Sequence, residues 1–450
     1  MPDSTFSKRL ALLVALAGFM ELFDGTVLQT AIPAMAQDFS VSSRTVSLAI
    51  SLYFAAAAGA IPVCGWLADR YGAKASLAGS YLIFGASSLL CGVTSDLRVF
   101  MFARVIQGAA GAIMMTVGQI AILRTAPKEQ MLKVTAYLVW PALAAPVVAP
   151  LVGGLVTDSI GWRWLFWFNL PLALTAVAAA MLVAPIKDVR VVPGRLDALT
   201  LALLSIGSCA LVPGLGLTDL GTQPARLWLV SIGALFVIAG VARLRAVKNP
   251  LLDLKAFAAS TFRASNTSGA LYRAVISALP ILLTLYLQTK FGFTATTAGL
   301  ALMFLFAGNL SIKPLANYSV RRWGYPVTVF CSTVVGGVAI TALAIVPVSV
   351  NLWMLAPMFF ISGAARSVGF TAYMSMQYLE VPASQIPSAT TLSGSVQNLA
   401  TAIGVAVFMG ILATSGDDYR FTLVTMAGSL LVSLIPNLRL PRDAGNIARH

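Results

Sequence analysis

Six ionisable side chains, Glu21, Asp24, Arg104, Arg273, Lys313 and Arg366, interrupt stretches that are otherwise apolar enough to cross a membrane. A charge near the centre of a bilayer costs at least about 2.5–3.5 kcal/mol, so a chain retains one where it is paired, hydrated or used. Carboxylates in such a setting can carry protons; guanidinium and ammonium groups can pair with them or hold an anion. The only histidine is His450, so proton chemistry falls to the acids and no zinc motif can be assembled.

Glu21 and Asp24, three residues apart, are expected to share one helical face at about mid-depth and to titrate as a pair. Arg104 is expected within reach of Asp24 from an antiparallel helix. That contact either loads and unloads a proton as it makes and breaks, or locks two helices together. Glu21, Asp24 and Arg104 are therefore the candidates for proton coupling. In the C-terminal part no acid lies within a span to match Arg273 or Arg366. Ser277, Thr284 and Gln288 follow Arg273 at helical spacing, and Ser362, Tyr373 and Gln377 do the same around Arg366. Both arginines are expected to face a wet cavity, where they hold an anionic substrate, reach across to Glu21 and Asp24, or make structural hydrogen bonds to carbonyls. Asn309, Lys313, Gln397 and Asn398 join Arg273, Arg366, Gln288, Tyr373 and Gln377 as candidate substrate-binding residues. Lys313 is secondary, because it lies near the end of its helix and could snorkel to the interface.

The elements that must position these residues are membrane helices. Of 450 residues, 58% are hydrophobic and 10% charged, whereas about a quarter are charged in soluble domains. Lys8-Arg9 and the apolar run after it imitate a secretory signal, but Glu21 and Asp24 interrupt that run and it is long enough to span, so a retained first helix is expected. At roughly 20 apolar residues per crossing, fourteen spans are predicted, from 10–34 to 419–437. Twenty of the 30 Lys and Arg then fall in segments on the side of the N-terminus and six on the other, which puts both termini in the cytoplasm. The net charge of +14 thereby gains a membrane explanation and calls for no nucleic acid. Cys64, Cys91, Cys209 and Cys331 lie in apolar runs without paired spacing and read as small buried hydrophobes.

Between the second and third predicted spans, Gly65-Trp66-Leu67-Ala68-Asp69-Arg70-Tyr71-Gly72-Ala73-Lys74 reads as a tight polar turn with a glycine at each end. It resembles the signature loop of the major facilitator superfamily, G-x-x-x-D-R-x-G-x-[KR]. A weaker echo, Pro314 to Gly324, comes eight helices later, and a plain six-plus-six transporter would repeat after six. The chain therefore resembles the fourteen-helix drug:proton antiporter branch: an all-α membrane protein with six-helix halves at 10–184 and 263–437 and two inserted helices at 198–244. Phe23 to Pro33, with Asp24 at its acid, and Arg104 to Gly111 are similar to that branch's first- and fourth-helix motifs. Ala145 to Gly154 resembles its antiporter motif, with Ala145 and Ala149 in place of the usual glycines. The resemblance implies a conformational gating role for Gly65, Asp69, Arg70, Gly72 and Lys74, and for Pro146, Pro150, Gly153 and Gly154, the last four supplying a bend and close helix contact.

Together the charges, the spans and the resemblance lead to the expectation of a monomeric transporter of the bacterial inner membrane, without cofactor or metal. It would exchange protons for an anionic or amphipathic organic compound and export it. No G-x-x-x-x-G-K-[ST] motif is present, which leaves gradient coupling as the energy source. Export of lipophilic cations, proton-symport import of a metabolite, and a membrane sensor or channel are the alternatives. An enzyme is not expected, because no nucleophile constellation accompanies the charges.

Overall fold

A helix satisfies its own backbone N–H and C=O groups, which is what a long apolar run needs in hydrocarbon. In the computed structural model, which describes residues 8–125, 131–183, 196–216, 222–247 and 250–435, every regular element is helical. The N-terminal set comprises α1 (Lys8–Val27), α2 (Ile32–Asp38), α3 (Ser43–Ala60), α4 (Cys64–Tyr71), α5 (Ala73–Val93), α6 (Leu97–Thr125), α7 (Met131–Ser159), α8 (Trp164–Trp167) and α9 (Asn169–Ala178). Next come α10 (Ala198–Leu215) and α11 (Gln223–Ala246). The C-terminal set comprises α12 (Ser260–Thr289), α13 (Ala295–Ser311), α14 (Lys313–Trp323), α15 (Tyr325–Ile345), α16 (Leu352–Met376), α17 (Ile386–Thr414) and α18 (Tyr419–Val432). Ser42, Asp197, Thr294, Asn351 and Asp418 start five of these helices, each accepting a backbone N–H of the first turn.

Each predicted span coincides with helix, yet not every helix is long enough to cross. Among the described residues, eleven can span a membrane by length and hydropathy, or twelve if α13 and α14 count as one span bent by 47°. At 14 residues α18 is a shorter apolar helix, whereas α7 runs for 29. Pro314, in the first turn of α14, has no N–H to extend the ladder of α13, so the span expected at 295–320 is broken at Ile312. The predicted polar turn at 65–74 is also mostly helix. Gly65 lies inside α4, where an added Cβ would meet nothing, and the turn is confined to Gly72 at φ 84°. Gly324 ends α14 in nearly the same conformation, φ 80°. Residues 1–7 and 436–450, with Arg439, Arg442 and Arg449, and the ends of the predicted segments at 184 and 437 lie outside the described residues, whereas Lys8 and Arg9 are exposed at the start of α1.

Two seams join the N-terminal and C-terminal sets: α7 packs against α13, and α3 against α17. The pair α10 and α11 sits beside the second seam, with α10 against both α3 and α17. Outward faces are apolar, including Leu227, Trp228 and Ile238 of α11 and Phe330, Val338 and Ile345 of α15, as expected where lipid is the solvent. Cys331 is exposed on α15 and Cys209 half-buried, while Cys64 and Cys91 are buried. Which side of a uniformly apolar helix a cysteine occupies is not visible in its neighbours, and this corrects the expectation for two of the four.

Candidate functional site

Asp24 of α1 and Arg104 of α6 meet deep in the N-terminal set. A Cβ on Gly108 would lie 2.1 Å from the Tyr53 carbonyl oxygen, so α6 and α3 touch backbone to backbone there. One turn earlier the Arg104 guanidinium lies 4.5 Å from the centre of the Tyr53 ring. Its NH1 donates to Asp24 Oδ2 (2.5 Å) and to Gln107 Oε1 (2.6 Å). Gln107 Nε2 and Asn169 Nδ2 donate to Asp24 Oδ1 at 3.2 and 3.0 Å. Asn169 also donates to Ser88 Oγ (3.1 Å), whose hydroxyl donates to the Phe166 carbonyl (2.9 Å). Both charged side chains are shut off from solvent, at 0% and 1% exposure. Chemically this is a lock: α1, α6 and α9 share one ion pair whose carboxylate receives three side-chain donors.

Glu21 is elsewhere. It lines a cavity of ≈ 290 Å³ between α1, α3 and α7 on one side and α12, α13, α14, α16 and α17 on the other. Positions three apart differ by about 60° around a helix, and that offset puts Asp24 in the lock and Glu21 in the cavity. They do not form the expected carboxylate pair. Arg273, Lys313 and Arg366 line the same cavity, with Asn309, Asn398 and the rings of Phe54, Phe306 and Phe370. Arg273 Nε donates to Thr401 Oγ1 (3.2 Å) and its guanidinium lies 4.8 Å from the Phe370 ring. Arg366 NH1 donates to the Ile276 carbonyl (3.2 Å), with its guanidinium 4.9 Å from Phe306. Lys313 does not snorkel outward; the break at Ile312 turns its Nζ inward to donate to Thr371 Oγ1 (3.3 Å). Among the described residues none of the three cations has an ion pair, and Glu21 has neither an ion pair nor a hydrogen bond. Three cations thus face one acid across a space fit for a small organic molecule.

At the end of the molecule holding the N-termini of α3 and α13, the two sets are fastened together. Arg44 pairs with Asp417, and Gln288 Nε2 donates to the Thr30 carbonyl (3.0 Å). Asp158 Oδ2 accepts from Thr296 N (2.8 Å) and Oγ1 (2.6 Å). A Cβ on Gly154 would lie 2.3 Å from the Ala295 carbonyl oxygen, so α7 and α13 have no room for a side chain between them. At the other end the Asp69–Arg124 pair (2.7 Å) and the Glu380 contacts with Ser260 stay within their own sets.

The sequence matches the Major Facilitator Superfamily over residues 14–263 and 266–449. The chain belongs to this family. It is 28% identical over 446 residues to a Pectobacterium carotovorum protein named "Putative multidrug resistance protein MdtD", covering 96% of this chain and 95% of that one. Its counterpart of the same name in Escherichia coli strain K12 is 27% identical over 458 residues, covering 98% and 96%. The fold is similar to that of a POT peptide transporter, with TM-score 0.72 and 14% identity over 97% of this chain and 95% of the other. A D-xylose-proton symporter gives TM-score 0.67 and 14% identity over 98% and 99%. The human organic anion transporter MFSD10 gives 0.62 and 14% over 97% and 100%. The protein is a multi-pass transporter of the bacterial inner membrane and not an enzyme.

Within this transporter the remaining predicted residues separate. Tyr373 is buried against Tyr272 (5.5 Å between ring centres) and Gly269, where α16 meets α12, and does not line the cavity. Gln377 accepts from Ser393 Oγ (2.7 Å), and Gln397 Nε2 donates to Ser393 Oγ (2.9 Å) and Met374 Sδ (3.3 Å); these three knit α16 to α17 outside the cavity lining. Gln288 belongs to the fastened end. Asn398 lines the cavity while donating to the Gly394 carbonyl (3.0 Å). Pro146 lines it too, whereas Pro150 packs its carbonyl on Gly299, and Gly153 lies under the Val27 carbonyl. Arg70 is exposed and Lys74 half-buried. Sequence reasoning misses Gln107 and Asn169. Gln107 lies three residues beyond Arg104, and Asn169 is a lone amide in an apolar span; both signals are present in the letters.

Proposed function

We propose that the chain is a proton-driven exporter of the fourteen-helix drug:proton antiporter branch, moving an anionic or amphipathic organic compound out of the cell by alternating access. In this reading α7, the bent pair α13–α14 and the shorter α18 each make a crossing, both termini are cytoplasmic, and the protein acts as a monomer. Residues 10–184 and 263–437 are the two rocking bodies, with 198–244 inserted between them. Gly65, Asp69, Arg70, Gly72 and Lys74 gate the cytoplasmic side, and Pro146, Pro150, Gly153 and Gly154 the outer seam. The relatives' multidrug resistance name supports export.

The observation that carries the substrate class is the cavity in which Arg273, Arg366 and Lys313 face Glu21. Glu21 is assigned as the proton carrier because it alone of the two acids lines the cavity; Asp24 and Arg104 hold the helix that presents it. Exchange requires proton and substrate to exclude one another at Glu21. A compound with an anionic group for the cations and a cationic or hydrogen-donating group for Glu21 meets that requirement, and Phe54, Phe306 and Phe370 suit an apolar body between the two. A purely anionic compound would instead bind together with a proton, since a charged Glu21 repels it. Proton symport into the cell is the second reading, confined to such a substrate. A lipophilic cation is the class the cavity suits least.

Inside-out oriented proteoliposomes decide between them. With the lumen acidic, exchange drives candidate compounds inward and alkalinises the lumen; symport requires acid outside for the same uptake. Glu21→Gln is expected to abolish the dependence on the pH gradient, and gradient-driven uptake undiminished in that variant would remove Glu21 from the mechanism.

A further inference from the structure

A second cavity, of ≈ 410 Å³, lies beside the α3–α17 seam and shares no lining residue with the first. It is enclosed by α3, α10, α11, the segment 252–257 and α17. The inserted pair is seated firmly enough to keep this space: Ser205 Oγ donates to the Gly59 carbonyl (3.2 Å), and a Cβ on Gly59 would lie 2.8 Å from the Ser205 Cα. Its wall is apolar, with Pro62 and Val241 among the lining residues, and water gains little in such a space. Three polar features interrupt the wall. Ser208 and Ser395 line it, and Ser395, only 9% exposed, has an Oγ without a hydrogen-bond partner among the described residues. Arg245 lines it from the last turn of α11, is exposed, and makes no ion pair or hydrogen bond among the described residues. Its neighbour Arg243 is engaged by Asp197 (3.1 Å).

We propose that this cavity binds one anionic phospholipid from the leaflet on the Arg245 side. An acyl chain fills the space between the inserted pair and the seam, the headgroup phosphate meets Arg245, and an ester carbonyl accepts from Ser395 Oγ. The volume falls within the roughly 300–1,000 Å³ of ligand cavities, and a basic side chain at the end of an apolar slot between membrane helices complements an anionic lipid rather than a zwitterionic one. Because α3 and α17 come from opposite sides of the seam, a lipid held here touches both moving sets.

Native mass spectrometry of the detergent-purified full chain, titrated with phosphatidylglycerol and phosphatidylcholine of matched chains, tests this. One retained phosphatidylglycerol is expected, bound about fivefold more tightly than phosphatidylcholine, the worth of one basic side chain against an anionic lipid. Arg245→Gln should bring the first lipid to the level of the second. Val241→Trp, which fills the space, should remove the retained lipid and the rise in unfolding temperature that phosphatidylglycerol gives the unmodified chain. Val396→Trp fills the same space from α17 and keeps the test readable if the first variant does not fold. Equal retention of the two lipids, or a phosphatidylglycerol adduct that survives the filling variants, overturns the proposal. So does inorganic phosphate binding as tightly as the lipid, which would leave an anion site with no role for the chain.

Discussion

The Asp24–Arg104 lock and the Glu21 cavity use the same chemical groups, one turn apart on α1, to opposite ends. In the lock the carboxylate receives Arg104, Gln107 and Asn169 and is closed to water. In the cavity Glu21 and three cations stand around a space without pairing. A charge inside a membrane is therefore structural or functional according to what surrounds it, not according to its type. The Asp24 carboxylate is met by three donors, one of them its ion-pair partner, whereas Glu21 is met by none among the described residues and is left open to a ligand or a proton.

Substitutions that separate folding from transport break or sharpen that contrast. The largest effect on folding is expected from Arg104→Ala, which strands the buried Asp24 carboxylate; breaking a buried pair this way costs about 3–5 kcal/mol. Loss of monodisperse protein on size exclusion and an early unfolding transition would show it, with Asp24→Asn added in the same chain restoring much of the loss. An unchanged transition in the single variant would mean that the lock does not hold α1 to α6. Asn169→Ala removes one donor from a charged acceptor, for about 1.5–3 kcal/mol, read as a smaller shift in the same thermal assay. Arg273→Ala and Arg366→Ala remove charges without acidic partners, so unfolding should move by less than about 1 kcal/mol, whereas anion binding should weaken about tenfold or more through the lost charge-assisted contact. Titration of the purified variants with a transported compound measures that ratio. Glu21→Gln is the smallest structural change of all, with folding unaltered and only the pH-gradient dependence of uptake lost.

Much of this architecture is legible in the sequence because its cause is local. Apolar length marks the helices, and Gly72 and Gly324 mark two of the turns that glycine enters freely. The family signature rests on the same letters. Other features depend on partners distant in sequence. Tyr373 and Gln377 share the helical face of Arg366, but α12 and α17 close over that face before the cavity reaches them, so periodicity alone overextends the site. Lys313 reads as the end of an unbroken helix, whereas it starts a new one after a 47° bend and bonds Thr371. Glu21 and Asp24 read as a pair because three residues on a helix is near; the 60° between them becomes decisive once α6 and α9 occupy one side and a cavity the other.

The sequence by itself determined that this is a helical membrane protein of the major facilitator family, and it singled out six charges within the spans, because each must justify its burial against the same hydrocarbon cost. Only the tertiary structure decided which acid is locked and which faces the cavity. That division depends on whether donors from α6 and α9 converge on a carboxylate, a fact of packing between segments some 80 and 145 residues apart in the chain that no local pattern encodes.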